Sequence, residues 1–332
     1  LIFIDLRDRS GIIQLIVRPD NSCYELASSL KTESVIKIEG TISERESKNT
    51  KIPTGEIEVI VSSLVLESMA HDLPFELSDD TTALEDTRLK YRYLELRRES
   101  VREKLIVRSK VMHVIRSYFN DNDFIEVETP ILCKSTPEGA RDYLVPSRVN
   151  KGKFYALPQS PQLFKQLLMV GGIEKYFQIA KCFRDEDLRA DRQPEFTQVD
   201  LEMSFVDEDD VMSVTEKLIQ RVFKEIKNID ITLPLARMKY DDAMRDYGSD
   251  KPDLRFGMEL KDVTNLFKDV DFALFKQTIS ENGIIKGLNA KGASTKYSRK
   301  EIDRLTEVVK KLKAKGLMYL KYENNAFTGS IA

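Results

Sequence analysis

The run FTQVDLEMSF at residues 196–205 alternates between two kinds of side chain. Side chains of an extended strand point to opposite faces in turn, so this run predicts a strand with one apolar and one polar face. The apolar face would hold Thr197, Val199, Leu201 and Met203. The polar face would hold Gln198, Asp200, Glu202 and Ser204. The alternation constrains the fold strongly, because a helical period would mix the two sets.

A second extended run precedes the first. Residues 176–186, given the same period, place Gln178, Arg184 and Glu186 on one face, so two strands joined by residues 187–195 would present one polar wall. This wall is either the solvated face of an amphipathic hairpin or a site for a ligand that carries both charges. Arg184 favours the second interpretation, because a guanidinium suits bidentate contact with carboxylate or phosphate. Residues 183–205 hold no histidine or cysteine, so such a site would work by holding charges in place.

Composition excludes several classes of protein. Charged residues make up 32% of the 332 residues and the formal net charge is −3, so an RNA partner would have to meet a local basic patch. The three cysteines form no CxxC pair, which argues against a zinc site or a disulfide framework. An apolar run of about 18 residues and a signal-like start are both absent from the sequence. We therefore expect a cytoplasmic protein with no membrane partner.

The first 67 residues predict a small β-barrel. Four extended runs with turn signals between them lie at residues 2–7, 12–17, 35–42 and 56–66. With a helix near residues 24–31, this order suits an OB-fold that lacks its first strand. Phe3 and Gln14 then lie on outward faces, where a ring can stack on an unpaired base and an amide can bond the edge of a base. Ordinary packing is the alternative for an outward Phe3.

Changes of pattern divide the rest of the chain. Residues 68–104 are a polar connector whose basic side chains we expect on a solvated helix face. From residue 105 apolar residues recur at helical spacing, and Asp207 is placed to cap an amphipathic helix that continues through Asn228. The pattern changes again after residue 250. We therefore predict a multidomain α+β protein with domains at residues 1–67, 68–104, 105–250 and 251–332.

The phrase FRDEDLRADRQPEFTQ at residues 183–198 resembles motif 2 of class II aminoacyl-tRNA synthetases, and its wording is similar to the bacterial aspartyl-tRNA synthetases. Three more phrases agree: STPEGARDYLVPSRV at residues 135–149, GKFYALPQSPQLFKQLLM at residues 152–169, and LRDRSGIIQL near the start. The resemblance covers essentially the whole chain. In order along the four predicted domains, it implies an OB-fold that binds the anticodon, a hinge, a class II catalytic domain with an antiparallel sheet, and the start of an inserted α+β domain.

The resemblance implies an aspartate–tRNA ligase, which would convert L-aspartate and ATP to aspartyl-adenylate and then charge tRNA(Asp). In-line attack on the α-phosphorus needs little proton transfer, which agrees with a site that lacks histidine. Arg184 and Glu186 are the implied catalytic residues, with Arg184 bridging the aspartate carboxylate and the α-phosphate. Arg184, Asp185, Glu186 and Gln193 are the implied ATP-binding residues.

Ser160 is the first implied aspartate-binding residue, and with Pro161 after it the sequence predicts a helix N-cap and first helical position. Gln162 and Lys165 then share one face near the helix N-terminus, where an anion is favoured. A lysine there is ordinarily solvated, but the resemblance places Lys165 against the aspartate side chain.

Three carboxylates and Arg184 complete the implied aspartate site. Glu138 matches the residue that receives the substrate ammonium. Asp200 and Glu202 lie on the acceptor face, where they would bind that ammonium or hold Arg184 in place, and Glu202 is expected to act through its neighbours. In the barrel, Phe3 and Gln14 match positions that contact the anticodon.

One family feature is absent from the sequence, namely a G-x-G-x-G-x-x-R segment after motif 2. The resemblance assigns the Mg²⁺ ligands to that region, so no metal ligand is expected in this chain, and both ends read as cuts. It also implies a homodimer formed through motif 1, which matches the helix, strand and proline predicted for residues 105–130. The alternatives are a non-catalytic RNA-binding protein built like a synthetase and a related asparaginyl or lysyl ligase.

Overall fold

The structure is a computed structural model and describes residues 1–136, 138–314 and 316–331. It separates into two compact units, Leu1–Leu233 and Pro234–Ala332. The predicted domain boundaries are finer than this division. Within the described residues, no helix combines the length and the apolar character that crossing a membrane would require.

A four-stranded sheet opens the first unit. Its elements are β1 Ile2–Arg7, β2 Ile12–Val17, helix α1 Tyr24–Ser29, β3 Val35–Glu44 and β4 Ile57–Ser68. The spatial order is β1-β2-β4-β3, with β2 and β4 parallel and the other pairs antiparallel. The alternation predicted for β1 and β2 is observed, because Leu15 and Val17 are fully buried while Phe3 is 60% exposed.

Three helices follow the sheet: α2 Glu85–Lys90, α3 Arg92–Glu95 and α4 Glu99–Asp121. Helix α4 begins before residue 105 and therefore crosses the predicted boundary between connector and catalytic domain. The expectation of a solvated basic face is wrong for Arg98, which is 8% exposed. Its guanidinium donates to Glu95 Oε1 at 2.8 Å and to the Ser78 carbonyl at 3.0 Å, and these bonds offset the cost of burial.

The second half of this unit is built on the predicted hairpin. In chain order it holds β5 Ile125–Glu126, β6 Leu144–Pro146, β7 Phe154–Ala156, α5 Gln162–Val170, β8 Lys175–Phe183, β9 Glu195–Met203 and α6 Glu208–Lys227. Strands β8 and β9 pair antiparallel along their whole length, and β5 adds a short parallel edge to β8. Strand β8 ends at Phe183, so Arg184 and Glu186 lie in the hairpin loop and not on the strand as predicted.

Helices α4 and α6 cover the apolar face of the hairpin. The rings of Phe119 and Phe177 stack with centroids 4.6 Å apart, and Leu218 of α6 joins the same core. Helix α6 starts and ends as predicted: Asp207 forms a capping box with Asp210, and Asn228 closes the helix in the left-handed conformation.

The second unit is described by itself. It contains helices α7 Tyr240–Tyr247, α8 Ala273–Ser280 and α9 Arg299–Lys311, two short 3-10 turns, and two small antiparallel pairs. The pairs are β10 Lys261–Asp262 with β11 Lys286–Gly287, and β12 Leu320–Glu323 with β13 Ala326–Gly329. Phe275 and Ile302 are its largest buried side chains among the residues described.

Candidate functional site

The polar face of the β8–β9 hairpin is enclosed and not solvated. The register sets Gln178 opposite Asp200 and Tyr176 opposite Glu202, so these side chains share one face. Asp200 is 9% exposed and Tyr176 is fully buried. We call this face the polar wall, formed by Tyr176, Gln178, Cys182, Gln198, Asp200 and Glu202. Tyr176, Cys182 and Asp200 are buried and the other three side chains are half-buried, which favours the ligand-site interpretation of the alternation over a solvated hairpin.

Lys165 projects from α5 onto the polar wall, where three acceptors surround its ammonium. Its Nζ lies 2.9 Å from Asp200 Oδ1, 3.1 Å from Glu202 Oε2 and 3.4 Å from the Leu201 carbonyl. The side chain is 12% exposed, so the solvated alternative does not hold. In this structure the lysine is neutralised by the protein itself.

Two carboxylates share this single ammonium, so the ionised cluster carries a net negative charge. The pKa values of both Asp200 and Lys165 are raised. Burial raises the pKa of Asp200, Lys165 opposes that rise, and Glu202 adds to it. Burial alone would lower the pKa of Lys165, but the bonds to Asp200 and Glu202 outweigh it and raise the pKa. Asp200 Oδ2 is buried and has no hydrogen-bond partner among the described residues. The wall thus presents one open acceptor, which suits a cationic group of a ligand.

The start of α5 differs from the prediction by one residue. The helix begins at Gln162, Pro161 occupies the cap position, and no side chain caps the helix. Ser160 does not cap because its Oγ donates to Glu138 Oε2 at 2.7 Å. Gln162, half-buried, and Lys165 lie three residues apart near the N-terminus of α5, as the prediction required.

A buried amide that the sequence prediction missed holds the segment after Glu138. Gln159 is 1% exposed. Its Oε1 accepts from the Ala140 N–H at 3.0 Å, and its Nε2 donates to the Ala140 carbonyl at 2.9 Å and to Asp142. A fully bonded buried amide fixes the backbone that it clamps. The phrase LPQSPQ contains the residue, but its importance follows from contacts across 19 positions.

Arg184 lies where the hairpin loop leaves β8. Its guanidinium carbon is 5.0 Å from the centroid of the Phe196 ring, and its backbone N–H donates to the Pro194 carbonyl at 2.9 Å. Its Nε is buried and has no hydrogen-bond partner among the described residues. The ring thus orients the guanidinium while part of its donor capacity stays unused.

Three charged groups act on the buried thiol of Cys182. Burial raises its pKa to about 11, the charges of Asp200 and Glu138 add to the rise, and the Arg184 guanidinium opposes it. The thiol donates to Gln198 Oε1 at 3.2 Å. The charges of Glu138, Arg184 and Asp200 thus all act on this thiol, and Lys165 contacts Asp200 at 2.9 Å.

The other predicted ATP-binding residues lie on the exposed hairpin loop. The Asp185 N–H donates to the Arg141 carbonyl at 2.9 Å, which ties the loop to the segment that Gln159 clamps. Glu186 Oε2 lies 3.6 Å from Arg192 Nη1, and Gln193 is exposed. Backbone pairing thus ties Asp185 to the segment that Gln159 clamps. Gln193 makes no backbone hydrogen bond of this kind among the described residues.

A cavity of about 380 Å³ lies beside Glu138 and Ser160. Its walls are mostly apolar and come from the segment after β5, the segment before α5 and the first turn of α5, including Leu132, Cys133 and Phe164. Among the described residues, no group of three or more His, Cys, Asp or Glu side chains is arranged to hold a metal ion. No step is therefore assigned to a metal held by this part of the chain.

The second predicted site, on the barrel, holds residues that the prediction missed. Gln14 Nε2 donates to Glu58 Oε2 at 3.1 Å, and Arg45 Nη2 donates to Gln14 Oε1 at 2.7 Å, so the amide orientation is fixed. Arg45 Nη1 is buried without a partner among the described residues. Phe3 lies on the same face, because Asp5 pairs with Gln14 and alternation returns Phe3 to the side of Asp5. Pairing of β2 with β4 places Glu58 beside Gln14, which the sequence could not indicate.

Two family models match the chain. The model described as tRNA synthetases class II (D, K and N) matches residues 84–325. The model described as OB-fold nucleic acid binding domain matches residues 1–67. Both elements of the predicted fold class, an N-terminal OB-fold and a class II synthetase domain, are thereby confirmed.

Curated relatives include the aspartate–tRNA ligases of Streptococcus pneumoniae serotype 2 (strain D39 / NCTC 7466) and serotype 19F (strain G54). Each is 56% identical over 335 aligned positions that include all of this chain, and the chain spans 56% of the length of each relative. Among solved structures, asparaginyl-tRNA synthetase from Pyrococcus horikoshii with asparaginyl-adenylate is 27% identical. It has a TM-score of 0.59 and matches 68% of this chain and 52% of that one. A Leishmania major Friedlin structure described as an aspartyl-tRNA synthetase is 26% identical, with a TM-score of 0.60 over 68% of this chain and 46% of that one.

Proposed function

The chain belongs to the class II tRNA synthetases of the aspartate, lysine and asparagine group, and from that premise we propose that the whole protein is an aspartate–tRNA ligase. An α-carboxylate oxygen of L-aspartate attacks the α-phosphorus of ATP, the bond to the β-phosphate breaks, and pyrophosphate leaves. The 3′-terminal adenosine hydroxyl of tRNA(Asp) then attacks the aspartyl carbonyl and releases AMP. The observation that carries the proposal is the enclosed Lys165 ammonium, which Asp200 and Glu202 hold on the polar wall at 2.9 and 3.1 Å.

In this proposal Arg184 holds the reacting anions. The α-carboxylate and the α-phosphate both gain from a preorganised guanidinium, because negative charge develops on the phosphate oxygens during attack. Support comes from the Phe196 ring, which orients the group, and from the buried Nε that has no partner among the described residues. Glu186, Asp185 and Gln193 would contact the nucleotide from the hairpin loop.

Glu138 and Asp200 would receive the substrate ammonium, and Lys165 the side-chain carboxylate. The open Asp200 Oδ2 supports the first role. Because Asp200 and Glu202 already neutralise Lys165, aspartate must displace or share one of these partners. Glu202 is the better candidate for displacement, since its side chain is 32% exposed against 10% for Asp200. Ser160 and Gln162 would complete the aspartate site.

The barrel would bind the anticodon of tRNA(Asp). Phe3, exposed on β1, offers a ring for stacking, and the fixed amide of Gln14 offers a defined donor and acceptor pair. Arg45 and Glu58 hold that amide and extend the surface. This assignment rests on the OB-fold match together with these contacts.

The remaining parts of the proposal concern assembly and ions. Exposed apolar residues of the segment around motif 1, including Ile125, Ile131 and Leu132, support a homodimer interface there. A cytoplasmic location is proposed with the role in translation. Mg²⁺ would accompany ATP, and no described residue is assigned to it.

The test is pyrophosphate exchange by the full-length protein with single amino acids. We expect exchange with L-aspartate and weak or no exchange with asparagine or lysine. The asparagine side chain lacks the negative charge that Lys165 would bind, and the lysine side chain carries a positive charge that Lys165 would repel. Equal exchange with asparagine or lysine would contradict the specificity. Absence of exchange with all three, together with retained binding of tRNA, would favour the non-catalytic RNA-binding alternative.

A further inference from the structure

A single carboxylate ties barrel strand β1 to the connector that precedes α4. The two oxygens of Glu33 accept hydrogen bonds from Arg7 Nη2 at 2.7 and 2.6 Å. Arg97 Nη1 donates to Glu33 Oε2. Arg7 is the last residue of β1, and Arg97 lies two residues before the start of α4. The bonded trio therefore joins two segments that are far apart in sequence.

Glu33 differs from an ordinary surface ion-pair partner. Its side chain is 12% exposed, whereas both partners of the nearby Lys31–Asp72 pair are about half exposed or more, at 49% and 92%. Its backbone adopts a left-handed conformation with φ of 71°, which is unfavourable for a residue with a side chain. Exposed pairs contribute little to stability, but an enclosed carboxylate between two guanidiniums has a defined geometry.

Each arginine lies next to residues with an assigned place in the proposed function or in the core. Arg7 shares the outward face of β1 with Phe3, four residues and about 13 Å along the strand. On the other side, the residue next to Arg97 is Arg98, which is buried against Glu95 and the Ser78 carbonyl. Helix α4 begins directly after Arg98 and packs beneath the polar wall through Phe119 and Phe177. Glu33 thus connects strand β1, which carries Phe3, to the segment that leads into α4 below the polar wall.

We propose that Glu33 is a positioning residue that sets the orientation of the barrel relative to the catalytic body, so that RNA held at Phe3 presents its 3′ end to the polar wall. The inference rests on the proposed function. Glu33 contacts neither aspartate nor ATP in that proposal. Its loss therefore slows the RNA-dependent step and leaves adenylate formation unchanged.

The experiment measures both steps in full-length protein for Glu33→Gln, Arg97→Gln and the double variant. Glu25→Gln is the matched control, because Glu25 is an exposed glutamate on α1 of the same barrel. For Glu33→Gln and Arg97→Gln we expect kcat/KM for charging a tRNA(Asp) transcript of the same organism to fall on the order of ten-fold, within the range of coupling between contacting charges. Aspartate-dependent pyrophosphate exchange should stay within about two-fold of wild type. The double variant should be no worse than the more affected single variant.

Three results would overturn the inference: equal losses in exchange and charging, unchanged charging in Glu33→Gln, or additive losses in the double variant. Arg97 is 47% exposed on its side chain, so Arg97→Gln keeps the test valid if Glu33→Gln does not fold. If the wild-type protein does not catalyse pyrophosphate exchange, the proposed function is wrong. This result is distinct from the test of Glu33, which compares variants with an active wild type.

Discussion

Asp200 is the residue at which burial and charge oppose each other most directly. The polar wall places its carboxylate beside one ammonium and a second carboxylate, and only one of its oxygens has a partner among the described residues. A group held in this way is costly to the folded protein and is retained for what it binds. The same reasoning explains why Cys182 is no nucleophile, since its raised pKa keeps the thiol protonated.

Asp200→Asn should change stability in a pH-dependent manner. The pKa of Asp200 is raised in the folded state, so the stability linked to it is fully present below the unfolded value of 3.8 and is lost as pH rises through the folded pKa. Relative to wild type, Asp200→Asn should therefore be more stable at about pH 7 than at about pH 4. Urea unfolding at the two pH values measures the difference.

Asp72→Asn provides the control with the opposite sign. Its hydrogen bond and ion pair with Lys31 lower the pKa of the exposed Asp72, so any stability linked to it is present above 3.8 and is lost as pH falls. Its effect should be small because the pair is exposed. If the difference in unfolding free energy between Asp200→Asn and wild type is the same at both pH values, the pKa of Asp200 is not raised in the folded protein.

At the level of elements, α6 shows how local sequence fixes a boundary. Asp207 accepts hydrogen bonds from the backbone N–H groups of Asp209 and Asp210, at 3.1 and 3.2 Å, and Asp210 Oδ2 accepts from the Asp207 N–H in return. These three bonds satisfy backbone donors that the start of a helix leaves open. The helix then buries Leu218 against α4 and the hairpin.

Asp207→Ala should lower the free energy of unfolding by about 0.5–2 kcal/mol, the usual contribution of a helix N-cap. Asp207→Asn keeps an acceptor at the cap and should stay close to wild type. Urea unfolding of the three proteins gives the comparison. Equal destabilisation by alanine and asparagine would mean that charge, and not the cap bonds, stabilises this end of α6.

The hairpin and α6 could be predicted because their signals are local: strict alternation in β9, and a cap followed by helical spacing in α6. The prediction that Arg184 and Lys165 belong to one site followed from family resemblance. Gln159 and Arg45 escaped prediction because their roles depend on partners brought by loop closure and strand register. Ser160 was misassigned as a cap because a serine before proline predicts one locally, while Glu138 captures its hydroxyl in the folded chain.

At the scale of the whole molecule, several apolar side chains near β5 are exposed. Ile125, Ile131 and Leu132 are 50%, 46% and 54% exposed, and Leu105 and Ile106 of α4 are exposed as well. A large contiguous patch of exposed apolar side chains is typical of an interface. In the proposed function this segment joins two copies of the protein.

Ile131→Asp should convert a homodimer to a monomer, because a buried aspartate at the interface would have no partner. Sedimentation of the full-length protein measures the change in mass. Leu84→Asp is the matched control, since Leu84 is 76% exposed just before α2 and lies outside the segment. An unchanged mass for Ile131→Asp, or an equal change for Leu84→Asp, would contradict the assigned interface.

The two faces of β9 serve opposite purposes, since Leu201 packs into the core while Asp200 and Glu202 bind Lys165. One amino acid inserted into this strand would turn every later side chain to the wrong side, placing carboxylates among the phenylalanines and leucine on the lysine. Homologous genes should therefore tolerate changes of length between residues 187 and 192, where the chain is exposed, and none within the strands on either side.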